Sequence, residues 1–138
     1  MTSQNLIGKT IVELFEKIQF EEYGIDQGEL FLKLDSGELI SFPFDLGFKS
    51  FLVDDNQVAD AKNILQEASE SNESWMIKDL IEVSDPLSNP YIELQCGILF
   101  TEESMGQNGT GMAGLRLYQN LEAFESMHGK KYVRLSEQ

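Results

Sequence analysis

The chain has one cysteine and one histidine in 138 residues. Cys96 therefore has no intrachain partner for a disulfide, a usage that fits a reducing compartment. One Cys and one His also fall short of the three or four nitrogen and sulfur ligands of a zinc site, so neither metal nor cofactor is expected. Long apolar runs are missing too: no stretch approaches the ~20 residues that cross a bilayer. The opening MTSQNLIGKT has no basic segment followed by an apolar one, so it does not read as a secretory signal. These absences predict a cytoplasmic protein without membrane contact. Positive charge is scarce as well. Ten Lys and Arg stand against 24 Asp and Glu, a formal net charge of −14. Nucleic acid is excluded as a partner, because affinity for its backbone comes from Lys and Arg displacing counterions.

What is present suits a folded domain. At 41% hydrophobic and 10% aromatic the chain can build a core, unlike a disordered acidic tail. Its length fits a single domain over residues 1–138, and no linker divides it. The charge is uneven: residues 63–115 hold one base, Lys78, against Glu67, Glu70, Glu73, Asp79, Glu82, Asp85, Glu93, Glu102 and Glu103. Residues 116–138 carry a small positive excess. The bland explanation of the acids is solubility alone.

Hydrophobic patterning predicts an α+β fold, mainly an antiparallel sheet of six to eight strands from two meander-like units with one or two packed helices. Residues 30–42, LFLKLDSGELISF, read as a hairpin turning at Asp35, Ser36 and Gly37, and residues 91–101, YIELQCGILFT, repeat the format. A similar short run precedes each, Ile11-Val12-Glu13-Leu14 and Leu80-Ile81-Glu82-Val83, which suggests a duplicated strand-plus-hairpin unit. Residues 6–20 fit a helical stripe, with Thr10 and Glu13 spaced as a capping box, but also an alternating strand, which the parallel with residues 80–83 favours. Val58, Ala61, Leu65 and Ala68 predict a helix over 55–68 capped by Asp54 or Asp55. Residues 68–74 and 85–90 read as loops, residues 121–128 as a helix ending at Gly129, and 130–135 as a last strand.

Motifs that would carry catalysis are weak. Gly109, Gly111 and Gly114 in SMGQNGTGMAG satisfy G-x-G-x-x-G, but GLRLYQNL behind them reads as a strand and Glu102 and Glu103 in front would repel a phosphate. A long hairpin connection explains the glycines, and Met105, Asn108 and Met112 in it can serve as adaptable partner contacts. Cys96 falls at a predicted turn and His128 at a helix C-terminus, positions with structural explanations. Adjacent acids such as Glu21-Glu22, Asp54-Asp55 and Glu102-Glu103 follow from composition, and none has calcium-loop spacing. Trp75 reads as a core anchor at a strand start.

No catalytic residues are therefore assigned and no enzyme activity is expected. A compact acidic protein can occupy the basic cleft of a partner, with complementary fields speeding encounter. The predicted contacts are Glu67, Glu70, Glu73, Glu102, Glu103, Met105, Asn108 and Met112. In size, acidity and lack of an export signal the chain resembles the small bacterial immunity proteins that neutralise toxins of contact-dependent inhibition and related polymorphic systems. This resemblance of type rests on composition over the whole chain rather than on a motif. It implies a cytoplasmic antitoxin that binds one basic toxin domain, often a nuclease, without catalysis of its own. The alternative is a small-ligand-binding domain or enzyme using the Gly-rich loop 104–114 as a lid.

Overall fold

The computed structural model describes residues 2–20, 26–43, 52–69, 73–84, 89–103 and 114–138. It is an α+β fold of two antiparallel sheets. Four strands form the first sheet: β1 (Ile11–Phe20), β2 (Asp26–Leu34), β3 (Leu39–Ser41) and β4 (Lys62–Asn63), in the order β3-β2-β1-β4. The second comprises β5 (Ile77–Val83), β6 (Tyr91–Leu94), β7 (Leu99–Glu103), β8 (Gly114–Tyr118) and β9 (Tyr132–Arg134), in the order β8-β7-β6-β5-β9. The helices are α1 (Leu65–Ala68), a single turn, and α2 (Leu121–His128).

The duplication expected from the sequence is present in the backbone, with a corrected register. Both hairpins turn on a glycine with positive φ, Gly37 at 103° and Gly97 at 106°, a conformation costly for a residue with a Cβ. In both turns one amide bonds back across the hairpin, Leu34 N–H to the Glu38 carbonyl and Leu94 N–H to the Ile98 carbonyl. The strand before each hairpin has a bulge, between Ile11 and Glu13 in β1 and between Ile77 and Asp79 in β5. Ile11 therefore matches Ile77 and Leu14 matches Leu80, whereas the apolar runs alone had set Ile11 against Leu80. Periodicity cannot see a bulge, because the extra residue shifts which side chains face inward.

The halves meet at a short antiparallel ribbon. Thr10 and Met76 form a bridge, the Ile11 N–H donates to the Trp75 carbonyl at 2.9 Å, and the Ile77 N–H donates to the Lys9 carbonyl at 2.8 Å. These bonds are equivalent under exchange of the halves, which gives the ribbon a local two-fold relation. Each hairpin turn attaches on its own side, Asp35 N–H to the Thr10 carbonyl and Gln95 N–H to the Met76 carbonyl.

One core joins the sheets: Leu14, Leu30, Leu32 and Ile40 pack with Leu80, Ile92, Leu94, Phe100 and Leu115. Trp75 is 2% exposed within it, 5.2 Å from the Phe100 ring, as expected of a core anchor. Smaller clusters cover the outer faces. Phe124 of α2 lies against Ile81, Tyr91 and Leu99 of the second sheet, while Val58 lies against Phe31 and Leu39 of the first.

The predicted helix over residues 55–68 does not form. Asp55–Val58 is a 3₁₀ turn carrying the expected Asp54 cap, Lys62–Asn63 pairs with β1, and only Leu65–Ala68 is α-helical. The competing interaction is the open edge of β1. Pairing there gives Lys62 and Asn63 ladder bonds, and the Asn63 Oδ1 accepts from the Leu14 and Leu65 amides, each at 3.2 Å. Of the strand reading over residues 6–20, Ile11–Phe20 holds, while Leu6 ends a 3₁₀ turn over Ser3–Leu6; α2 and its end at Gly129 hold, and the last strand is confined to Tyr132–Arg134.

Candidate partner-contact surface

The predicted contact residues fall at separate places. Glu73 is exposed, at the turn end of the β6-β7 hairpin, where burial, with the Glu73 carboxylate adding to it, pushes the Cys96 thiol up. That shift keeps the thiol protonated and unsuited to nucleophilic attack at neutral pH. Glu102 is at the other end of β7, six residues from Cys96 and roughly 20 Å away at strand spacing. Glu67 lies on α1 and Glu103 ends β7, their side chains outside the described residues, and Glu70, Met105, Asn108 and Met112 are outside them altogether. The Gly-rich loop therefore lies outside the described residues, apart from Gly114 at the start of β8.

Glu102 joins the two sheets. Its Oε2 accepts the Leu30 N–H of β2 at 2.8 Å, and its backbone carbonyl accepts from the Asn89 side chain at 3.1 Å. Burial pushes its pKa up to about 7; the Leu30 bond opposes the shift and the Glu29 carboxylate adds to it. Glu102 is thus a carboxyl at the rim of the core that titrates near neutrality, rather than a fully solvated charge.

Two further polar constellations escaped the sequence reading. Asp79 of β5 and Glu93 of β6 are opposite each other and buried, at 3% and 4% exposure. Arg134 of β9 joins them, 3.4 Å from Asp79 Oδ2 and hydrogen-bonded to Glu93 Oε1. Asp79 also accepts from the Leu80 amide at 2.9 Å, the Ser136 amide at 3.0 Å and the Ser136 hydroxyl at 2.6 Å. The available signal was the comparison of YIELQCG with FLKLDSG, which puts Glu93 where the first half has Lys33 opposite Glu13. The second constellation is around His128, whose Nε2 is 3.2 Å from the Tyr91 hydroxyl and 3.1 Å from that of Tyr118. With Phe124 these rings bind the end of α2 to the sheet, a structural position for the histidine. Among the described residues, no group of three or more His, Cys, Asp or Glu could hold a metal ion. Among them too, no helix is long and apolar enough to cross a membrane.

An open groove of about 670 Å³ lies between β1 and α1, lined by Val12, Asn63, Leu65 and Gln66. Val12 is the bulge residue of β1 and is 44% exposed, and Met76, across the ribbon at its Thr10 bridge, is 38% exposed. Sequence periodicity missed the exposure of Val12 because it assigned that residue to a simple alternating strand.

No family model matches this chain, and comparisons with curated proteins and with solved structures found no match.

Proposed function

We propose that the chain is a cytoplasmic immunity protein that binds a basic toxin domain, a nuclease being the best fit, and neutralises it by occupying its cationic surface. The observation that carries this reading is how the charge is used. Several cations are held in internal pairs, Lys9 with Glu38, Lys17 with Asp60, and Arg134 with Asp79 and Glu93. Carboxylates at Glu29, Asp54, Asp55, Glu73 and Glu122 are on exposed residues, in a chain of net charge −14. Such a surface accelerates encounter with a basic protein and repels nucleic acid competing for the same cleft.

The test is growth rescue followed by kinetics. A basic C-terminal domain encoded beside this chain is expressed alone and together with it, and rescue of growth with a stable complex is expected. In the purified pair, Glu29→Lys with Glu73→Lys should slow association about tenfold at low salt and flatten its salt dependence. Absence of rescue, or equal association rates, would remove the reading.

A further inference from the structure

At one corner of the fold the Glu102 side chain does the work of a strand. The pairing of β2 with β3 ends at Phe31, opposite Ser41, so Leu30 lies one residue past that ladder. Its N–H is met from the other sheet instead, by the Glu102 Oε2 at 2.8 Å. Leu30 is 1% exposed, and an amide buried to that degree is costly to leave without an acceptor. The backbone that carries the carboxyl is fixed by groups that do not ionise. The Thr101 hydroxyl donates to the Pro90 carbonyl at 2.8 Å, and the Asn89 side chain donates to the Glu102 carbonyl at 3.1 Å. The side chain can therefore move while its strand stays in place.

The charges at this corner disfavour an anion. Glu16 of β1 stands opposite Leu30 and is buried, and Glu29, beside Leu30 on β2, is exposed. Lys17 of β1, opposite Glu29, is engaged elsewhere: its Nζ bonds the Gln57 carbonyl at 3.4 Å and lies 3.7 Å from Asp60. On β8, Glu102 is opposite Leu115 of the shared core, which places Arg116 on the other face of that strand. Glu103, next along β7, is a further acid. Ionised in place, Glu102 would put a charge between two sheets and among acids, although its own side chain is only partly covered. Burial, with the Glu29 carboxylate adding to it, accordingly outweighs the Leu30 bond and brings the titration near neutrality.

We infer that Glu102 is a pH-operated clasp between the sheets. Protonated, it keeps an oxygen on the Leu30 amide and closes β7 onto β2. On losing its proton to solvent, the carboxylate rotates outward and water takes over the Leu30 amide, so this corner loosens while the shared core stays packed. The device belongs to the fold itself and is independent of any partner.

The experiment follows amide hydrogen exchange and side-chain carboxyl carbon-13 shifts in the full-length labelled chain from about pH 6 to about pH 8. Exchange is corrected for its intrinsic pH dependence, and Ile92, fully buried in the shared core, serves as the internal reference for global unfolding. Protection of the Leu30 amide relative to that of Ile92 should fall about tenfold across this range, in step with the Glu102 carboxyl titration. In Glu102→Gln, which keeps an oxygen for Leu30 and cannot ionise, the ratio should stay constant. Glu29→Gln removes the neighbouring like charge from an exposed position, so it should move the fall to lower pH; it also covers the case in which the first variant folds poorly. A constant ratio in the unaltered chain, an equal fall in Glu102→Gln, or an unmoved midpoint in Glu29→Gln would overturn the inference.

Discussion

Glu102 shows how one side chain can make stability depend on pH. Its folded pKa, about 7, exceeds the 4.5 of a free glutamate, so the unfolded chain gives up this proton first as pH rises. The contribution of the protonated carboxyl is complete below about pH 4.5 and is lost as pH climbs through 7. Glu102→Gln keeps an oxygen for the Leu30 amide and removes the ionisation. Urea unfolding at pH 8 should find the variant more stable by about 1–2 kcal/mol, after allowance for the carboxyl's partly open side, with the gain absent at pH 4.5. Arg134 is the opposite case, a cation holding two buried acids together. Arg134→Met leaves Asp79 and Glu93 facing each other without a cation, and chemical denaturation should register a loss of about 3–5 kcal/mol. Arg134→Lys should recover only part, since an ammonium lacks the guanidinium's spread of donors.

Among the elements, the hairpins and α2 were legible because local chemistry specifies them. Asp35-Ser36-Gly37 and Gln95-Cys96-Gly97 each end on a glycine that only a tight turn needs. Neither Gly37 nor Gly97 has a neighbour within 3.4 Å of an added Cβ, so the cost of Gly→Ala is conformational. Thermal unfolding of Gly37→Ala and Gly97→Ala should show similar losses, about 1–2 kcal/mol each. Helix α2 starts at Asn120, whose Oδ1 accepts the Ala123 amide at 2.8 Å. Replacing that cap by alanine should cost about 1 kcal/mol in the same assay. What stayed hidden depends on partners distant in sequence. The spacing of Val58, Ala61, Leu65 and Ala68 is helical, yet the edge of β1, nearly 50 residues away, claims Lys62 and Asn63. The bulges at Val12 and Lys78 were invisible for the same reason, and with the first of them the exposure of Val12. At the predicted contact site the sequence identified which residues are acidic. It could not tell that the Glu102 carboxylate folds back onto Leu30 while Glu73 is at the opposite end of the hairpin.

At the scale of the molecule, two similar halves share one interior, so a defect in either should unfold both. Leu14→Ala and Leu80→Ala occupy matching places in the common cluster. Each should cost about 2–5 kcal/mol and leave a single cooperative transition in calorimetry, rather than the melting of one half. The halves are alike in path but have diverged in wiring. In the first, Asn63 reaches across from β4 to take the Leu14 and Leu65 amides. In the second, Asp79 on β5 itself takes the Leu80 and Ser136 amides, and Arg134 stands where Asn63 would. A chimera built from two copies of either half would thus keep each socket matched, because the Asn63 bonds and the Asp79–Glu93–Arg134 group each lie within one half.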